Sequence, residues 1–219
     1  MTSVLGLDGC KGGWVGALVA PDGAISWHFL PDVRAALALA VDVIAIDIPI
    51  GLPESGGRQC DRLARARLGP RGPSVFPAPV RAVLAARTYA EARLLSVSAH
   101  GVSLSAQCFG ILPKIRDVDE ALRPADHRRV VEVHPEVSFR ALAGRDLARK
   151  KSAGGALARM QVLQARFPAI PEDVPEQAAL DDALDALVCA WTAQRWARGA
   201  AEVLGDELDA LGTPMRIAV

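Results

Sequence analysis

The order of elements in the first 47 residues constrains this chain most: three apolar stretches, near 3 to 8, 14 to 20 and 24 to 30, then a helical stretch and a fourth apolar run. The separators, Gly9 to Gly13 and Pro21-Asp22-Gly23, carry hairpin-turn chemistry, so the three stretches read as an antiparallel meander. After Pro31, DVRAALALA repeats apolar residues at helical spacing. Val43 to Asp47 (VIAID) is short, apolar and ends on an acid, which suits a strand buried on both faces. A crossover helix precedes it, so this fourth strand should run parallel to the first.

Between residues 48 and 128 the reading turns helical and irregular, with Pro49, Pro53, Pro70, Pro73, Pro77 and Pro79 breaking its first part. Helices are expected near 58 to 68, 79 to 97 and 105 to 122, as an insertion of about 52–128 over the sheet. Arg129 to His134 (RVVEVH) resumes as a fifth strand, and 135 to 143, 152 to 166 and 178 to 199 read as helices. A length of 219 residues with 51% hydrophobic content suits a single domain carrying that insertion.

Acidic and basic residues balance at zero formal charge, so nothing global marks a nucleic-acid or membrane binder. Cys10, Cys60, Cys108 and Cys189 lie too far apart in sequence for a zinc motif, and a chain of this size needs no disulfides. The N-terminus lacks a basic segment followed by a long apolar core, and no apolar run approaches the roughly 20 residues that span a bilayer. A cytoplasmic protein without a membrane partner is expected.

The chemistry concentrates on acids. Asp8 ends the first strand and Asp47 the fourth; on parallel neighbours, both fall at the carboxyl edge, where open α/β sheets place their ligands. In LDDALDALVCAW, Asp182 and Asp185 are three residues apart on one helical face, while Asp181 points elsewhere. Each acid alone has an ordinary reading: Asp8 and Asp47 as turn formers, Asp181 or Asp182 as first-turn acids favoured by the helix dipole. Gathered on one edge, carboxylates repel unless a cation lies between them, and all-oxygen ligands suit magnesium or manganese. Two such ions roughly 4 Å apart can activate water and stabilise the leaving oxygen of a phosphodiester.

The strand order, the acids ending the first and fourth strands and the D-x-x-D-A of Asp182 to Ala186 resemble the ribonuclease H-like superfamily, nearest its RuvC-type resolvase branch. LDGCKGGW, IDIPIGLP, RQCDRLARARLG, SVFPAP, LSAQCFGILPKIRDVD, VVEVHPEVSF, the Lys150-Lys151 pair and LDDALDA are similar to the domain-of-unknown-function 429 (DUF429) family, described as predicted nucleases of that fold. The resemblance implies an α/β, ribonuclease H-like fold: a five-stranded mixed sheet in the order 3-2-1-4-5, with helices on both faces and a helical insertion between strands 4 and 5. It also implies a metal-dependent nuclease in which Asp8, Asp47, Asp182 and Asp185 are catalytic and bind two magnesium or manganese ions, and it leaves room for a homodimer. Asp47 departs from the glutamate usual in RuvC-type resolvases. Glu132, His134 and Glu136 of EVHPE lack a clean counterpart there. By the period of two, Glu132 and His134 share a face of the fifth strand, Glu132 as a further catalytic acid and His134 as a ligand, an acid–base group or a structural partner. Glu136 suits a helix start equally well.

Charge neutrality conceals a basic segment: eight arginines between Arg58 and Arg93 face two acids, Asp61 and Glu91. Arg58, Arg62 and Arg65 share a helical face, as phosphate-gripping residues would. Lys114 and the Arg145, Arg149, Lys150, Lys151 group are further candidates, Lys151 chief among the latter, and Lys11 sits in the glycine turn beside Asp8. A solvated helix surface is the plain alternative. With 5% aromatic content there is no stacking platform for single strands. D-G-C-K-G-G also resembles the first phosphate loop of actin-like ATPases, but those need two such domains. Three functions therefore stand: a nuclease acting on nucleic acid, an enzyme or binder for a small phosphorylated ligand, and a module whose acids are structural.

Overall fold

In the computed structural model, which describes residues 2–219, the opening apolar runs become β1 (Val4–Cys10), β2 (Gly13–Val19) and β3 (Ile25–Leu30). Lys11 and Gly12 alone join β1 to β2, and Gly12 supplies the positive φ of +80° that so short a turn requires. The β2–β3 turn closes through Ala20 and Ala24, with the Asp22 carboxylate accepting the Ala24 amide. Asp32 caps α1 (Val33–Leu37), and β4 (Val43–Ile46) follows, parallel to β1 as expected.

The middle of the chain holds α2 (Gln59–Leu68), α3 (Tyr89–His100) and α4 (Ala106–Ala121). A single helix over 79 to 97 is not formed. Arg81–Ala85 is a 3-10 turn, and Thr88 opens α3 afresh through a capping box with Glu91. Beyond it come β5 (Val130–Val133), α5 (Pro135–Ala143), α6 (Ala153–Arg166), α7 (Leu180–Ala197), β6 (Val203–Leu208) and β7 (Pro214–Ala218).

The sheet is mixed, with helices on both sides, and its order is β3-β2-β1-β4-β5-β7-β6. Seven strands therefore replace the five expected. The additional pair, β6 and β7, escaped sequence reading because Val203, Glu207 and Leu208 are exposed, so no clean alternation marks β6.

The chain divides into two units. The first comprises the residues up to Asp47, Arg128–Glu202 and Ala218–Val219; the second comprises Ile48–His127 and Val203–Ile217. The core of the first lies between the sheet and α7, where Val4, Val15, Ala17, Val43, Ala45, Val131 and Val133 meet Ala186, Leu187, Ala190 and Ala193. Gly6 permits the closest contact: a Cβ there would fall 2.0 Å from the Ala186 carbonyl oxygen and 2.2 Å from the Ala190 nitrogen. The second unit is tied by ions. Buried Arg58 pairs with Asp61, and Arg81 joins Asp119 and Asp209, whose carboxylate also accepts the amides of Leu52, Leu211 and Thr213.

Candidate functional site

Register brings the first two acids together. Leu7 of β1 lies opposite Ile46 of β4, so Asp8 and Asp47 are the next residues along both strands, and the Asp47 amide donates to the Leu7 carbonyl. Gly6, two residues before Asp8, faces α7, so Asp8 faces it too, as does Asp47 by the same alternation. α7 contributes Asp185, 2% exposed, while Asp8 is 8% exposed and Asp47 half-buried.

One cation answers these acids. Lys150 Nζ donates to Asp185 Oδ2 at 2.6 Å and lies 3.8 Å from Asp181 Oδ2, so Asp181 does not point away as its helical position suggested. Burial, then Asp47 and Asp185, hold the Asp8 carboxyl well above the usual carboxylate range. Burial, then Asp185, pushes Asp47 up to about 8. Burial raises Asp185 to about 6 against the pull of Lys150. Burial alone would lower Lys150, but Asp185, Asp8 and Asp47 outweigh it and hold the ammonium above the usual lysine range. Cys189, one turn beyond Asp185 on α7, is fully buried, and burial and the three acids keep its thiol protonated.

Asp182 stands at the rim. Its Oδ2 accepts the Ala179 amide at 2.9 Å, so it caps the start of α7, and its carboxyl is raised by burial against that bond. Glu132 lies opposite Ile46 and therefore on the sheet face away from Asp8 and Asp47, although its charge still raises Asp47. His134 follows β5 and is the residue before α5, its carbonyl accepting the amides of Val137 and Ser138. Glu136 receives both carboxylate contacts of Arg159, at 2.7 and 2.9 Å.

The basic candidates divide sharply. Arg58 is not a surface residue: it is 1% exposed, donates to both Asp61 oxygens and to the Ile50 and Gly51 carbonyls, and so cannot grip a phosphate. Arg62 and Arg65 are exposed and donate to the Gly57 and Val75 carbonyls, while Lys114 is half-buried; all three belong to the second unit. Lys11 and Lys151 are exposed on the first. The lysine that reaches the acids is Lys150, which the sequence marked as one member of a basic run and of the family-like Lys150-Lys151 pair, with Lys151 as the candidate ligand.

Carboxylate oxygens are the donors that magnesium and manganese prefer. As arranged, they make no metal site: among the described residues, no group of three or more His, Cys, Asp or Glu side chains is disposed to hold an ion. Asp185 is engaged by Lys150 and Asp182 by a backbone amide.

The first unit thus defines a mixed α/β protein with a carboxylate–lysine cluster at the carboxyl edge of its sheet. The chain belongs to the DUF429 family, a protein family of unknown function whose model matches residues 6–210. No curated protein and no solved structure matches it. Among the described residues, no helix is long and apolar enough to cross a membrane.

Proposed function

We propose that this chain is a hydrolase of phosphodiester bonds, on a ribonuclease H-like fold, acting on nucleic acid at the edge where Asp8, Asp47 and Asp185 meet Lys150. The observation that carries the reading is this cluster itself. Three acids from three separate elements crowd around one ammonium, an arrangement that costs stability and that proteins keep where chemistry requires it. The order β3-β2-β1-β4-β5 within the sheet, with Asp8 in the last part of β1 and Asp47 directly after β4, supports the fold assignment.

The chain's own groups suffice for acid–base work. At neutral pH Asp47, pushed up to about 8, keeps its proton and can deliver it to a leaving oxygen. Asp185, near 6 beside Lys150, is ionised and can take a proton from water. Lys150, with Lys11 and Lys151 exposed on the same unit, supplies positive charge for a phosphate.

The test is incubation of the protein with branched DNA, RNA–DNA hybrid and single strands, in chelator and with magnesium or manganese. Cleavage is expected, and Asp8→Asn should reduce it by about 10²- to 10⁴-fold. The added-ion conditions test the two-ion requirement of ribonuclease H-like enzymes in the same experiment. If the wild type cuts nothing under any condition, the nuclease reading fails. A small phosphorylated ligand is the second reading, favoured by the burial of Arg58 and the internal pairing of Arg81, which shorten any phosphate track. Calorimetry with nucleotides and sugar phosphates tests it.

A further inference from the structure

The edge of the first unit's sheet opposite the acids carries a different cluster. Val19 of β2 pairs with Val4 at the start of β1, roughly 13 Å along the strand from Asp8, and Gln194 stands a similar distance beyond Asp185 along α7. Two adjoining cavities of about 420 and 270 Å³ open there, sharing Asp22, Arg166 and Gln194 among their walls. Arg198 lines the larger, and Phe167 and Pro168 line the smaller. All of these residues belong to the first unit.

Gln194 is the residue that needs a reason. It is 9% exposed, on a helix packed against the sheet, and an amide buried without partners costs stability. Its Oε1 accepts from Arg166 Nη2 at 2.9 Å, which fixes the orientation of the amide and leaves Nε2 without a hydrogen bond among the described residues. The Arg166 guanidinium lies 5.4 Å from the Phe167 ring centre. Neither Arg166 nor Arg198 has a carboxylate within 4 Å among the described residues. Nor are these arginines spent on closing helix ends. The amides of Arg198, Gly199 and Ala200 already occupy the Arg195 and Trp196 carbonyls at the end of α7, and the Phe167 amide occupies the Leu163 carbonyl at the end of α6. Asp22 is the one acid lining either cavity; it is exposed and accepts the Ala24 amide.

We infer that these two cavities form a binding site for a phosphate monoester with a small apolar body, separate from the acid edge. Two guanidinium groups and an amide nitrogen offer more donors than the two oxygens of a carboxylate can accept, and they suit the three terminal oxygens of a phosphate. Two positive charges against that of Asp22 leave the larger cavity net positive. Phe167 and Pro168 give the smaller cavity an apolar wall for the body of the ester. The larger cavity alone falls within the roughly 300–1,000 Å³ of small-molecule sites. None of these residues belongs to the acid edge, so the inference does not depend on the hydrolase reading.

Titration calorimetry with phenyl phosphate tests it, with inorganic phosphate and benzoate as partial ligands. The wild type should bind phenyl phosphate saturably, and about tenfold more tightly than either partial ligand. Arg198→Ala should weaken that binding by about tenfold. Asp22→Asn, which removes the opposing charge, should strengthen it by about threefold. Thermal melts check that each variant is folded, and the gain expected of Asp22→Asn cannot arise from a folding defect. Asp8→Asn should bind phenyl phosphate as the wild type does. Absence of saturable binding by the wild type, benzoate binding as tightly as phenyl phosphate, or unchanged affinity in both Arg198→Ala and Asp22→Asn would overturn the inference. Binding lost in Asp8→Asn but kept in Arg198→Ala would also overturn it, and would place the phosphate at the acid edge instead.

Discussion

Replacing Gly6 by alanine adds one methyl group at the most crowded point between β1 and α7. That Cβ would lie 2.0 Å from the Ala186 oxygen and 2.2 Å from the Ala190 nitrogen, whereas ordinary van der Waals contact begins at 3.4 Å. The obstacles are backbone atoms of a helix with twelve of its eighteen residues buried, so no side chain can rotate away, and α7 must retreat by more than an ångström. Overpacking of this kind costs about 3 kcal/mol or more. For a chain of this size that lowers Tm by roughly 6–12 °C. Thermal and urea unfolding of Gly6→Ala against wild type measure it, with Gly110→Ala as control, because a Cβ at Gly110 meets nothing within 4 Å and alanine favours the helix. A Gly6→Ala protein within 0.5 kcal/mol of wild type would refute the close approach, and with it the reason that Asp185 reaches the acids of the sheet.

The pH dependence of stability is a second expected outcome. Asp47 is raised to about 8 when folded, so between its ordinary value of 3.8 and about 8 the folded chain holds a proton that the unfolded chain releases. This contribution to stability is present at the acid end of that window and is lost as pH rises through it; Tm measured from pH 4 to 9 should show a downward component that Asp47→Asn removes. Arg58→Lys should destabilise the protein by about 3–5 kcal/mol in urea unfolding, because lysine cannot reproduce the paired contacts to buried Asp61 together with those to the Ile50 and Gly51 carbonyls. Exposed Arg62→Ala should stay within about 0.5 kcal/mol of wild type. Equal effects at the two positions would return Arg58 to the surface role its spacing suggested.

Local pattern carried most of the fold. Glycine turns and apolar runs marked β1 to β5, and the crossover through α1 made β4 parallel to β1, because turn chemistry and hydrophobic period act over a few residues. The same pattern located Asp8, Asp47 and Asp185, since an acid closing an apolar run or interrupting an apolar helix face is visible in the chain itself, although β1 continues past Asp8 to Cys10. Helical spacing grouped Arg58 with Arg62 and Arg65, but spacing is blind to what covers a face, and Asp61 and two carbonyls draw Arg58 inward. Period-two counting aligned Glu132 with His134, yet it is the register with β4 that assigns Glu132 to the face away from Asp8.

The sequence by itself thus determined the strand and helix order and which acids stand at the sheet edge, because those depend on neighbours along the chain. Only the tertiary structure decided which cation answers them. Lys150 and Lys151 are adjacent and chemically identical, and the difference between a lysine at 2.6 Å from Asp185 and one in solvent comes from a turn held by Ser152, Gly155 and Arg159. Electrostatic energy depends on distance and burial in space, and neither is set by position in the chain.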